Sequence, residues 1–168
     1  GPRSLPRFSG HLSAERLSLN GEELQAASAQ FTAEGDRLDI PAFGFSQNGG
    51  RYAFTGGIDT RTGDIYGGLS VDKGDLLHLL RILNVPARDI AGTLNGQVTI
   101  GGRLARPDIR VEGGLTGGKL RGYPLETVDI DVALKNNVMT INTFTARQGD
   151  GILAARGTAD FAGPVNIE

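Results

Sequence analysis

Residues Gln47–Asp59 read QNGGRYAFTGGID, and residues Gln148–Asp160 read QGDGILAARGTAD. The two phrases stand 101 positions apart (148 − 47). Sliding the chain against itself by that offset aligns Leu19–Asp59 with Leu120–Asp160 without a gap. Ten pairs are identical, where ordinary residue frequencies give roughly three by chance. They are Leu19/Leu120, Gly21/Gly122, Leu24/Leu125, Ile40/Ile141, Phe43/Phe144, Gln47/Gln148, Gly50/Gly151, Ala53/Ala154, Gly56/Gly157 and Asp59/Asp160. Apolar character also agrees at Ala29/Ile130, Phe31/Val132 and Leu38/Met139. The chain therefore carries an internal repeat, and a repeat governs the whole architecture.

Within the repeat the governing period is two. Thr127–Leu134 places Val128, Ile130, Val132 and Leu134 on one face, with Asp129 and Asp131 on the other. The equivalent stretch alternates Ala27, Ala29, Phe31 and Ala33 with Ser28, Gln30, Thr32 and Glu34. Strands with one dry and one wet face belong to antiparallel sheets. Turn residues punctuate them at Glu34-Gly35-Asp36, Asn48-Gly49-Gly50, Thr62-Gly63-Asp64, Asn136-Asn137 and Gly149-Asp150-Gly151. Phe43 and Phe144 follow Ile40 and Ile141 by three residues rather than two, which predicts a bulge in each repeat. Tyr52, Phe54, Gly56 and Ile58 alternate in the next strand, and further strands are expected over Ile65–Val71, Ile90–Ile100 and Ile109–Leu115. Gly-rich composition, 26 of 168 residues, fits a long curved sheet.

One segment breaks the pattern. Asp72–Pro86 reads as a short helix, capped by Asp72 or Asp75 and ended by Asn84 and Pro86. Asp75, His78 and Arg81 form a narrow polar stripe, and Leu76, Leu77, Leu79, Leu80, Ile82 and Leu83 a wide apolar face. That face is expected to plug onto the dry side of the sheet through Leu76, Leu79, Leu80 and Leu83. A membrane-surface helix is the other reading, and it lacks the basic residues such helices carry. The expected division is then 1–7 as a cleavage scar and leader, 8–71 as the first β-repeat, 72–86 as the helix and 87–168 as the second β-repeat. Together they make one continuous, mostly β domain: a curved antiparallel sheet forming a U-shaped trough.

Little in the composition points to chemistry. A net charge of −2 with interspersed signs offers nothing to nucleic acid. Absence of cysteine removes thiolate ligands and nucleophiles. No apolar run is long enough to span a membrane and no signal peptide is visible; the opening Gly1-Pro2 resembles a protease scar, so a longer parent is expected. Gly113–Leu120 nearly spells a phosphate-binding loop, but Leu120 stands where Ser or Thr must hold Mg2+, and turn residues follow instead of a helix. Asp129 and Asp131 share a strand face, as a solvated edge or a Ca2+ site would require, and the interleaved apolar residues favour the former. His11 and His78 have no metal-ligand spacing, and no nucleophile elbow is present. The expectation is a non-enzymatic protein without metal or cofactor.

The second repeat carries a resemblance. Gly96–Gly114, reading GQVTIGGRLARPDIRVEGG, resembles the "GxLxxPxhxG" phrase of the TamB/AsmA-like envelope proteins. Lys119–Glu126 is similar to their turn before a long amphipathic strand, and Gln148–Asp160 to their closing "xGxGxhxxxGxxD". The likeness is best over about Asp72–Phe161, and none of its motifs is catalytic. It implies a β-taco body in the periplasm of a diderm cell envelope, with the parent anchored in the inner membrane. It further implies a part in phospholipid transfer between membranes or in outer-membrane protein assembly, with an outer-membrane barrel protein of the TamA type as partner.

On this reading the dry face is a groove for phospholipid acyl chains. In the first repeat it comprises Ala29, Phe31, Leu38, Ile40, Tyr52, Phe54 and Ile58. In the second it comprises Ile109, Val111, Val128, Ile130, Val132, Leu134, Met139 and Ile141. An open groove leaves many of these accessible; the alternative, a structural or adhesive β-repeat with a closed core, buries them all. Edge strands are expected to favour edge-to-edge self-association.

Overall fold

The computed structural model describes residues 6–82 and 89–160. Its elements run β1 (Arg7–Leu19), β2 (Glu22–Glu34), β3 (Arg37–Gln47), β4 (Gly50–Asp59), β5 (Ile65–Asp75), α1 (Leu76–Ile82), β6 (Ile90–Arg103), β7 (Arg106–Leu120), β8 (Tyr123–Lys135), β9 (Val138–Gln148) and β10 (Gly151–Asp160). All ten strands form one antiparallel sheet whose spatial order is the chain order. β1 and β10 do not meet, so the sheet is open, and it curves into a U-shaped trough of the β-taco kind.

The repeat survives in three dimensions residue for residue. β2, β3 and β4 begin and end 101 positions before β8, β9 and β10 (123 − 22, 138 − 37, 151 − 50). Register repeats as well, except at the start of β2, where Gln25 faces Ser46 while Thr127 faces Arg147. Ile40 faces Gly56 and Phe43 faces Phe54, just as Ile141 faces Gly157 and Phe144 faces Ala155. The expected bulge is therefore present in both copies, with Pro41 and Ala42 opposing Thr55, and Asn142 and Thr143 opposing Arg156. Its effect is to return a residue three positions on to the same face. β1 and β7 extend the repeat by a fourth strand, since they end at Leu19 and Leu120.

Tight turns fix that register. Asn20-Gly21, Asn48-Gly49, Arg121-Gly122 and Asn136-Asn137 all have both central residues at positive φ, between 49° and 87°. Such turns match the twist of paired strands, and Asn and Gly tolerate them best. Arg121 accepts the same strain without that advantage.

The helix is shorter than the sequence predicts. Asp72–Asp75 complete β5, and α1 starts only at Leu76. Asp72 is held in the strand by pairing with Arg51, whereas Asp75 accepts a hydrogen bond from the His78 amide at 3.2 Å and so caps the helix. Leu83, Asn84 and Pro86 lie outside the described residues. α1 packs against the ends of β2, β5 and β6. β2 and β6 stand four strands apart, about 19 Å in a flat sheet, while seven residues of helix reach only about 10 Å. Strand bending and the long side chains His78 and Arg81 close the difference.

Glycine pairs allow close backbone approach on the inner face. Gly96 faces Gly113 across β6 and β7, and Gly56 faces Gly67 across β4 and β5. A Cβ on Gly96 would stand 2.5 Å from the Glu112 carbonyl oxygen, and one on Gly56 would stand 2.7 Å from that of Tyr66. No side chain fits such contacts without backbone movement. We expect Gly96→Ala to cost about 2 kcal/mol, which for a domain of this size lowers Tm by about 4–8 °C. Gly101→Ala, where a Cβ meets nothing within 4 Å, should leave Tm unchanged or slightly raised. Equal melting curves for the two variants would refute the close-approach account.

Candidate functional site

Cross-strand pairing carries the dry face across the whole sheet. Leu12, Ala29, Phe43, Phe54, Leu69, Val98, Val111, Val132, Ile141 and Gly157 follow one another as direct partners from β1 to β10. A parallel row joins Tyr52, Val71, Gly96, Gly113, Ile130, Phe144 and Ala155. At about 4.8 Å per strand, ten strands give an apolar floor roughly 45 Å long. All fifteen residues expected to line the groove fall on this face. The outer face is wet: Arg110 pairs with Asp131, which also accepts from Asn142, and Gln97 donates to Glu112.

Burial along the floor is uneven. Of the fifteen, only Tyr52 and Val128 are buried, Leu38 is exposed, and the rest are half-buried. A closed core would have buried all of them. The buried apolar residues, Leu24, Ala27, Tyr52, Val71, Val128 and Ala146, gather toward the turn-bearing end where α1 lies. There Phe45 stacks on Tyr52 with ring centroids 4.6 Å apart. Leu76, Leu79 and Leu80 are half-buried and no helix residue is fully buried, so α1 covers this end without filling the trough.

The helix is pinned by a polar cluster that the sequence did not announce. His78 Nδ1 bonds to Glu22 Oε2. Arg81 reaches Glu22 Oε1 at 3.4 Å, and Gln47 Nε2 donates to Glu22 Oε2 at 3.1 Å. Asn20 Nδ2 caps the helix by donating to the Ile82 carbonyl at 2.8 Å. The His78 hydrogen bond holds the Glu22 carboxyl below its usual range, outweighing burial, with Arg81 adding to the effect. Beside it the buried Gln47 Oε1 has no hydrogen-bond partner among the described residues. Burial raises the Tyr52 phenol pKa. In the second repeat Tyr123 stands at the position of Glu22 and is exposed, so the carboxylate that holds α1 has no counterpart there.

Other inner-face residues also escaped sequence reading. Phe43 and Phe144 look out of phase until the bulge is counted. Phe45, Leu69, Val71, Val98 and Ile100 alternate plainly enough in the sequence, but most lie in β5 and β6, between the repeats. The phosphate-loop look-alike Gly113–Leu120 is part of strand β7. Asp129 and Asp131 sit on the wet face, and no cluster of metal-ligating groups occurs among the described residues. Among those residues no helix is long and apolar enough to cross a membrane.

A depressed carboxylate stabilises the fold above its unfolded pKa and loses that contribution as pH falls through its folded value. Wild-type protein should therefore lose helix docking in acid, below about pH 4.5, the ordinary value for Glu22. Glu22→Gln should lack that part of the acid transition, seen by amide exchange in α1. At neutral pH, Glu22→Ala strands Gln47 and His78 and should cost about 1–3 kcal/mol. An unaltered exchange profile in both variants would show that the cluster does not hold the helix. In comparisons with known proteins, no family model, curated protein or solved structure matches this chain.

Proposed function

We propose that the protein is a non-enzymatic segment of a cell-envelope lipid conduit, whose trough accepts phospholipid acyl chains. The observation that carries this reading is the unbroken row from Leu12 to Gly157, lined by side chains that remain half-accessible. Large exposed apolar surfaces mark binding sites. This floor offers contact area and few polar anchors, so it favours a long, flexible hydrocarbon over a molecule needing directional recognition. At ~0.8 kcal/mol per buried CH2, a 16-carbon chain gains at most on the order of 10 kcal/mol. Without anchors, a chain held by that term can slide along the row.

The likeness of Gly96–Gly114 and Gln148–Asp160 to TamB/AsmA-like proteins adds a setting to this chemistry. The setting we propose from it is the periplasm, within a parent held at the inner membrane and working with an outer-membrane barrel protein of the TamA type. Lipid transfer between the two membranes is the role that the apolar floor supports best. A scaffold with a closed core fits less well, because Phe31, Phe54, Ile130 and Val132 are not buried.

The test is native mass spectrometry of detergent-free protein, with lipid extraction. Wild type should carry phospholipid or take up added fluorescent phospholipid. Ile130→Asp puts a charge on the floor and should lose most of the loading; Thr99→Asp, on the wet face, should keep it, and circular dichroism should show both folded. Absence of uptake by wild type, or equal loading by folded Ile130→Asp, would reject the conduit.

A further inference from the structure

Among the described residues β1 and β10 are the two open edges of the sheet, and both are copies of strands that are paired on both sides. β10 repeats β4, whose second side holds β5 over the pairs from Arg51↔Asp72 to Ile58↔Ile65. β1 repeats β7, whose second side holds β6 from Ile90↔Leu120 to Arg103↔Arg106. The backbone of each edge is thus one that accepts a neighbour elsewhere in the same molecule. Neither edge shows the usual protection by proline or by inward-pointing charge along its middle. Both also expose large apolar side chains, with Leu12 65% accessible on β1 and Leu153 63% on β10.

We propose that the β10 edge of one chain pairs antiparallel with the β1 edge of a second copy, extending the trough head to tail. The alternation of strand direction allows this, since β10 and β1 run oppositely in one sheet. The register that keeps the apolar rows in line sets Ala155 opposite Ala14 of the second copy, and Gly157 opposite its Leu12. Small then meets large: a Cβ at Gly157 would touch nothing within 4 Å, which leaves room for the Leu12 side chain. On the wet face Arg156 lies diagonal to Glu15 of the second copy, within cross-strand reach. Pairing β10 with another β10 would instead set Ala155, Gly157 and Ala159 against each other and leave a gap in the floor. The contact is heterologous and does not close on itself, so it builds an open series of copies rather than a discrete dimer.

The chain has no cysteine, so single cysteines report the contact cleanly. Opposed antiparallel residues bring their Cβ atoms to about 4.5–5.5 Å, near disulfide reach. Ala14→Cys mixed with Ala155→Cys and mildly oxidised should give a mixed disulfide dimer several-fold above either variant alone. Thr99→Cys, on the wet face of β6, sets the collision background. Sedimentation of wild type should show a mass that rises continuously with concentration. A main product from either variant oxidised alone, a mixed yield no higher than the Thr99→Cys background, or a monomer at every concentration would each overturn the proposal.

Discussion

The constraint on which this structure depends is phase. A strand alternates its faces every residue, so a slip of one position exchanges dry for wet along its whole length. Ten strands in series make nine pairings and so nine chances to slip, yet the row from Leu12 to Gly157 stays apolar or glycine throughout. Two devices hold the phase. Turns with both central residues at positive φ lock four of the hairpins to a single pairing. Bulges at Pro41-Ala42 and Asn142-Thr143 bend the strands and bring Phe43 and Phe144 back to the inner face.

A single curved layer must fill its concave side from its own side chains, and the concave side has little room. The chain meets this by setting glycine against bulk. The Phe54 ring occupies the space that a Cβ on Gly56 or Gly67 would need, Leu115 fills that of Gly92 and Gly118, and Phe31 covers Gly10. High glycine content is thus a packing requirement on the inner face more than a source of flexibility. The same geometry leaves the floor only partly covered. With no second layer, few apolar residues are fully buried, and the rest keep access to whatever enters the trough.

Much of this was legible in the sequence. The 101-residue offset, the alternation in Thr127–Leu134 and the paired asparagines and glycines are local signals, and each maps onto the strand or turn it foretold. The three-residue step from Ile40 to Phe43 announced the bulge, although not its consequence, that both residues line the same face. Less legible were features that depend on partners far away in the chain. Asp72 has the composition of a helix cap, but Arg51 on the neighbouring strand holds it in β5. Glu22 looks like any surface carboxylate at a strand start, and only the return of the chain after β5 brings His78 and Arg81 to it.

The two repeats also show how little burial is written in a residue itself. Leu24 and Leu125, Gln47 and Gln148, and Tyr52 and Leu153 occupy equivalent places in equivalent strands. The first of each pair is buried, while the second is half-buried or exposed. Apart from a bulge at Ala26 in β2, backbone register is the same, so most of the difference comes from what lies alongside. β4 has β5 beside it and α1 nearby, whereas among the described residues β10 has neither. A strand's pattern therefore states which face is dry, and its neighbours decide how dry that face becomes. In a sheet of one layer a strand paired on a single side is wetter than one paired on both, and its apolar residues are those with most to gain from a further neighbour.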